Sequence, residues 1–209
     1  MTTFSGDTAL RLAEFDDPPT DPITLLHEWL DAADRRRVRE PRAMMLATAD
    51  AAGHPSSRVV LLKAATADGL VFGTHTTSRK GTDLAARPFA SATFHWRETV
   101  QQVHVSGPVR RLPEAESDLL FAERPPAARA TTAASAQSRP LDSESALRER
   151  AAALLAAAAG TPIPRPADWS GFLLVPTAIE FWQGSEDRLH RRLHYRRAND
   201  AWIAERLQP

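Results

Sequence analysis

Residues 57–80 read S-R-V-V-L-L-K-A-A-T-A-D-G-L-V-F-G-T-H-T-T-S-R-K, and the rest of the chain arranges itself around them. Two β-branched, apolar runs flank a polar turn at 64–69, which predicts a pair of strands. Ser78, followed by Arg79 and Lys80, stands where a helix opens. The chain holds two lysines, Lys63 and Lys80, against twenty-four arginines, and both lie in this stretch. That bias points to a need for a compact ammonium rather than a forked guanidinium.

Arg58 and Lys63 are five residues apart, so on a regular strand they face opposite sides. They can share a ligand only at a strand end or around an edge. Ser78, Arg79 and Lys80 offer a hydroxyl, two cations and helix-terminal N–H groups, a suitable cradle for a phosphate. The same residues also make an ordinary solvated helix terminus, and spacing leaves both readings open. Near the C-terminus, E-F-W-Q-G-S-E-D-R-L-H-R-R puts Arg188, His190 and Arg192 on one strand face, with Leu189 opposite. Two guanidiniums around an imidazole suit an acidic ligand and a moving proton, and they equally suit an exposed strand. Trp182 reads as a core aromatic or as a platform for a flat ring. Gln102, Gln137 and Ser138 are uncharged hydrogen-bonding groups. His54, His75, His95 and His104 lack ligand spacing, so no metal site is expected. Neither a Rossmann glycine motif, a P-loop nor a G-x-S-x-G elbow is present.

At 209 residues the chain suits one domain, expected over 21–209 behind a loose N-terminal arm at 1–20. Formal net charge is zero, which argues against nucleic acid or an anionic membrane as partner. No apolar run approaches the ~20 residues of a membrane span, and no secretory signal pattern opens the chain. The absence of cysteine removes disulfides and thiolate chemistry and agrees with a cytoplasmic location. Helices are expected at 21–37, 77–87, 113–123 and 143–159. Strands are expected at 43–49, 57–63, 69–75, 89–96, 100–112, 171–183, 188–196 and 201–207, and 124–140 reads as a loop. Short turns between neighbouring strands predict a mainly β, α+β fold: an antiparallel barrel or half-open barrel of roughly seven strands with peripheral helices.

Taken in order, R-V-V-L-L-K, V-F-x-T-x-x-x-S-R-K-G, F-x-x-R-P, Q-S, I-E-F-W-Q-G-x-x-x-R-L-H-x-R and Y-x-R-x-x-D-x-W-x-x-x-R-L-x-P resemble the FMN-dependent pyridoxine 5′-phosphate oxidase family over nearly the whole chain. The resemblance implies an FMN-binding split β-barrel acting as a homodimer with flavin sites at the subunit interface. It implies that Arg58, Val59, Val60, Leu61, Leu62 and Lys63 line the flavin with Gly73 and Thr74. Ser78, Arg79 and Lys80 would hold its phosphate, and Gln102, Gln137, Ser138, Trp182 and Arg192 would complete the pocket. Arg188 and His190 would be the catalytic pair facing the substrate, beside Leu189.

Departures narrow the substrate. Where the vitamin enzymes hold the substrate phosphate with Lys, Tyr, Arg and Ser, this chain reads Lys63, Leu120, Arg124 and Ala128. Losing two hydroxyl donors to a charged phosphate costs roughly 3–6 kcal/mol. The usual Asp of R-L-H-D-R is Arg191. The segments V-R-E-P-R, L-A-T-A-D, G-x-P-S-S-R and W-R-E-T-x-Q-Q look like the phenazine-biosynthesis flavin oxidases. The implied activity is oxidation of a reduced phenazine carboxylate by hydride transfer to flavin, with O2 reduced to hydrogen peroxide. Lys63, Arg124, Arg188 and Arg191 are then the candidate carboxylate partners. Oxidation of pyridoxine or pyridoxamine 5′-phosphate is the alternative, and a non-catalytic flavin-binding protein of the same fold is a second.

Overall fold

The computed structural model describes residues 5–209. Among them, Asp21 caps the first helix, α1 (Pro22–Arg35), its carboxylate accepting from the N–H groups of Ile23 and Thr24, both at 3.1 Å. Pro22 occupies the first turn, where a missing N–H is harmless. The apolar stripe of Ile23, Leu26, Trp29, Leu30 and Ala33 is buried. Trp29 meets Phe181 edge-on at 5.0 Å, so the helix packs its stripe into the barrel core.

The strands are β1 (Ala43–Ala49), β2 (Pro55–Leu61), β3 (Ala64–Thr66), β4 (Gly69–His75), β5 (Phe89–Trp96), β6 (Gln101–Arg111), β7 (Trp169–Leu174), β8 (Ala178–Gln183), β9 (Arg191–Ala198) and β10 (Ala201–Leu207). The remaining helices are α2 (Arg79–Ala86), α3 (Glu114–Ala122), α4 (Pro126–Ala134) and α5 (Glu144–Ala158). All strand pairs are antiparallel, in the order β10-β9-β8-β6-β5-β1-β2. The long strand β6 divides the sheet. Its first part, Gln101–Ser106, pairs with β8, and its last, Val109–Arg111, pairs with β7. From β7 the sheet continues to β4 and β3. This is a mainly β, antiparallel half-barrel with peripheral helices, as expected from the turn spacing.

Several boundaries differ from expectation. The described residues form ten strands and five α-helices, against roughly seven strands and four helices read from the sequence. The apolar run 171–183 is two strands, because Pro176 interrupts it where the chain crosses between the two arms. The segment 124–140, read as a loop, contains α4: Pro126 fits its first turn and alanine favours its interior. β9 starts at Arg191, not 188, because Arg188 takes a left-handed backbone (φ 68°) that ends any strand. Residues 1–4 of the expected arm lie outside the described residues. Of the remainder, Phe15 is buried, and the Pro19 carbonyl accepts from the Tyr195 hydroxyl at 2.9 Å.

At the division point, a Cβ added to Gly107 would lie 1.9 Å from the Val175 carbonyl oxygen. Backbone cannot yield there as a flexible side chain could. Gly107→Ala is expected to cost about 3 kcal/mol and lower the melting temperature by roughly 6–12 °C. Differential scanning calorimetry checks this, and an unchanged midpoint would remove Gly107 as the constraint.

Candidate functional site

A cavity of about 710 Å³ opens beside β2, β4, the start of α2, and α4. Of the predicted residues, Arg58, Val59, Val60, Leu61, Lys63, Gly73, Thr74, Lys80, Arg124, Ala128 and Gln137 line it. Arg58 and Lys63 do share this cavity, because β2 ends at Leu61 and Lys63 lies beyond the strand end. The Lys63 N–H donates to the Val71 carbonyl at 2.8 Å, which ties that corner to β4.

Ser78 caps α2 and is fully buried, accepting from the Gly81 N–H at 3.3 Å while its hydroxyl donates to the His75 carbonyl at 2.7 Å. Lys80 folds back over this cap. Its ammonium donates to Ser78 Oγ at 3.3 Å and to Gln137 Oε1 at 3.0 Å, and Thr74 Oγ1 donates to the same Gln137 oxygen at 3.1 Å. Ser138 accepts from the Arg79 N–H at 3.2 Å, so the chain after α4 closes the cradle. Burial, reinforced by the Arg58 charge, lowers the Lys80 pKa to about 8. Arg58 is itself held by Thr48 Oγ1 at 2.8 Å, the Leu46 carbonyl at 3.1 Å and the Asp83 carboxylate at 3.8 Å. Lys80 has no carboxylate at ion-pair distance among the described residues.

At the α4 side, the Arg124 guanidinium lies 5.4 Å from the Trp169 ring and 5.8 Å from that of Phe121. It donates to Thr132 Oγ1 at 2.8 Å, while its Nε is buried with no partner. Burial lowers its pKa. Leu120 is not at the cavity: it packs with Leu112 and Leu173 in a small apolar cluster, because its position on α3 faces β7. Leu62 belongs to the main core.

A second group sits on another arm of the sheet. Gln102, Trp182 and Arg192 are registered side by side across β6, β8 and β9. They alternate with Val103, Phe181 and Leu193, all fully buried, so this row lies on the outer face. The His190 ring lies 4.9 Å from the Trp182 ring, and its Nδ1 accepts from the Ser185 N–H at 3.1 Å. In the neutral imidazole the proton therefore sits on Nε2. Arg188, Leu189 and His190 belong to the turn before β9, so the expected period-2 face of Arg188, His190 and Arg192 does not form. None of these outer-face and turn residues lines the cavity, from which β8 is separated in the sheet by β6, β5 and β1.

Arg191 pairs with Asp16 at 3.0 Å and lies 4.6 Å from the Phe15 ring, against the N-terminal segment. Sequence reasoning also missed His75 and Trp169, which line the cavity. His75 Nδ1 is 3.2 Å from the Asp168 carboxylate, a pairing 93 residues apart that no local spacing could reveal.

The antiparallel half-barrel thus carries a cavity lined by four cations, Arg58, Lys63, Lys80 and Arg124. A family model described as pyridoxamine 5′-phosphate oxidase matches residues 30–166, and one for the pyridoxine 5′-phosphate oxidase C-terminal dimerisation region matches 169–209. The chain belongs to the pyridoxamine 5′-phosphate oxidase family. It is 45% identical over 207 residues to the dihydrophenazinedicarboxylate synthase of Burkholderia lata, covering 99% of this chain and 97% of that one. It is 47% identical over 189 residues to the pyridoxine/pyridoxamine 5′-phosphate oxidase of Actinobacillus succinogenes, covering 90% of each. The crystal structure of PhzG from Burkholderia lata 383, in complex with tetrahydrophenazine-1-carboxylic acid, superposes with a TM-score of 0.94 at 46% identity, covering 98% of this chain and all of that one.

The Lys80 amine is expected to titrate near pH 8 in ligand-free protein, which lysine-selective NMR reads directly with two lysines in the chain. The folded state holds it below its unfolded value, so its charged form costs stability at neutral pH and the cost fades as pH rises through 8. Lys80→Met should therefore raise the melting temperature near about pH 7 and do so less near about pH 10. Equal shifts at both values would contradict the burial argument.

Proposed function

We propose that this protein is an FMN-dependent oxidase of phenazine biosynthesis acting on a reduced phenazine carboxylate, with O2 as electron acceptor and hydrogen peroxide as by-product. The donor set suits FMN. Lys80, a buried cation surrounded by hydroxyl and amide oxygens, calls for an anion, and Arg79, Ser78 and the first-turn N–H groups of α2 stand beside it. Arg58, the backbone through 59–62, Lys63, Gly73 and Thr74 would flank the ring system, with Gln137 and Ser138 closing over it. When bound, FMN supplies a two-electron hydride acceptor.

The observation that carries the substrate class is Arg124, half-buried against two aromatic rings with its Nε unpartnered. An aromatic carboxylate satisfies both features: its charge meets the guanidinium and its rings meet the apolar wall at Ala128. Arg188 anchors an acidic group, and His190 offers its Nε2–H to orient the substrate. The relative from Actinobacillus favours pyridoxine 5′-phosphate oxidation as the second reading, supported by Lys63 and Arg124 standing where a phosphate would be held. The missing hydroxyl at Ala128 weighs against it.

A homodimer is part of the same reading. The cavity and the Trp182–Arg192 row are far apart in one chain, and the exposed Met45, Val59 and Leu61 on β1 and β2 offer an apolar surface to a second copy. The C-terminal match to a dimerisation region supports this.

The substrate class is tested anaerobically with the yellow holoprotein. Tetrahydrophenazine-1-carboxylic acid is expected to bleach the flavin absorbance rapidly and pyridoxine 5′-phosphate slowly or not at all; the reverse order would establish the vitamin reading. Arg188→Ala and His190→Ala should slow that bleaching by about 100-fold or more with flavin still bound. Shared sites predict complementation: Lys80→Ala and His190→Ala, each inactive, should regain about a quarter of wild-type activity when co-refolded, since about half the dimers carry one intact site. No recovery on mixing would place each site within a single chain.

A further inference from the structure

Beside the Gln102–Trp182–Arg192 row runs a second, made by His104, Glu180 and His194 in register across β6, β8 and β9. Both Glu180 oxygens accept from one guanidinium: Arg192 Nε donates to Oε1 at 2.9 Å and Nη2 to Oε2 at 2.8 Å. Arg192 Nη1 donates further to the Gln208 carbonyl at 3.1 Å. The Glu180 side chain is only 15% exposed, so a carboxylate sits at the sheet surface largely out of water and fully engaged by one partner. On the far side, His194 is turned to Glu205, with Nδ1 3.2 Å from its carboxylate, so it does not compete with Arg192 for Glu180. His104 is held towards its neutral form by burial, so it adds little competing positive charge.

We infer that Glu180 is a positioning residue that fixes Arg192 in the orientation in which it meets the flavin. The inference rests on the proposed function, with Arg192 in the flavin pocket as the family resemblance implies. A guanidinium has five N–H donors in a rigid plane. Three are taken by Glu180 and Gln208, which leaves two directed away from the carboxylate. Bidentate pairing sets the plane as well as the position of that group, so the remaining donors point in one direction before any ligand arrives. Without Glu180, Arg192 gains rotamers and its two donors lose their aim. Its charge is unchanged.

The test is a double-mutant cycle read by flavin fluorescence titration of the full-length protein. Glu180→Gln keeps the shape, removes the charge and turns one acceptor into a donor facing the guanidinium. Loss of one charge-assisted interaction predicts FMN affinity lower by about tenfold or more. Arg192→Ala should lower it comparably, and the double variant should be no weaker than Arg192→Ala alone. Glu180→Ala provides the same cycle without the opposing amide donor, and melting of the ligand-free variants shows that each is folded. Additive losses, or a wild-type affinity in folded Glu180→Gln alongside a weakened Arg192→Ala, would overturn the positioning role alone. Wild-type affinity in Arg192→Ala would overturn the flavin assignment of Arg192 and this inference with it.

Discussion

One close backbone approach organises the molecule. At Gly107 the Val175 carbonyl comes so near β6 that no side chain fits, and β6 changes partner there. Upstream it is joined to β8, whose outer face carries Glu180 and Trp182. Downstream it is joined to β7, which leads through β4 to the cap of α2. The cavity and the Trp182–Arg192 row thus descend from one strand, on arms that diverge from a single residue. A side chain at 107 would press against the Val175 carbonyl and strain the junction between the arms. Because side chains alternate along a strand, a slip by one residue would turn the Trp182–Arg192 row into the core.

Charge is distributed on the same plan. Three guanidiniums among the candidate residues answer to the protein's own carboxylates: Arg58 to Asp83, Arg191 to Asp16, Arg192 to Glu180. Such pairs fix geometry more than they add stability, since desolvation offsets much of the attraction. Lys80 and Arg124 differ. Each is substantially buried, each has its pKa lowered by that burial, and neither has a carboxylate at ion-pair distance among the described residues. A protein that needed only stability would place apolar groups there. Two desolvated cations at one cavity make sense where an anion completes the site.

Periodicity made much of this legible. The stripe of α1 and the alternation of β5 and β6 are products of side-chain direction alone, and the sequence carries them in full. What it hid are features decided by long-range contact. The run from Trp169 to Gln183 is predominantly apolar, so Pro176 was the main hint that it forms two strands. The alternation Arg188, His190, Arg192 looked like one strand face until the left-handed turn at Arg188 broke it. α4 lacks an apolar stripe, which made its alanines look like loop, although alanine favours helix more than any other residue. His75 and Asp168 meet across β4 and the residue before β7, and no motif spans that distance.

The lysine bias gains a physical meaning from the cradle. The Lys80 ammonium has three N–H donors, of which Ser78 and Gln137 take two. One remains for a ligand. A guanidinium in the same space would bring five donors to neighbours that can accept only a few, and its plane would meet the buried cap of α2 rather than fold over it. The partner that satisfies Lys80, Gln137, lies 57 residues downstream, beyond α4. The Lys80 cradle is therefore incomplete until that distant segment has docked. A cation buried at Lys80 before Gln137 arrives would lack one of its two protein partners, which couples closure of the α4 side of the cavity to formation of the cradle at the opposite end of the sequence stretch that holds both lysines.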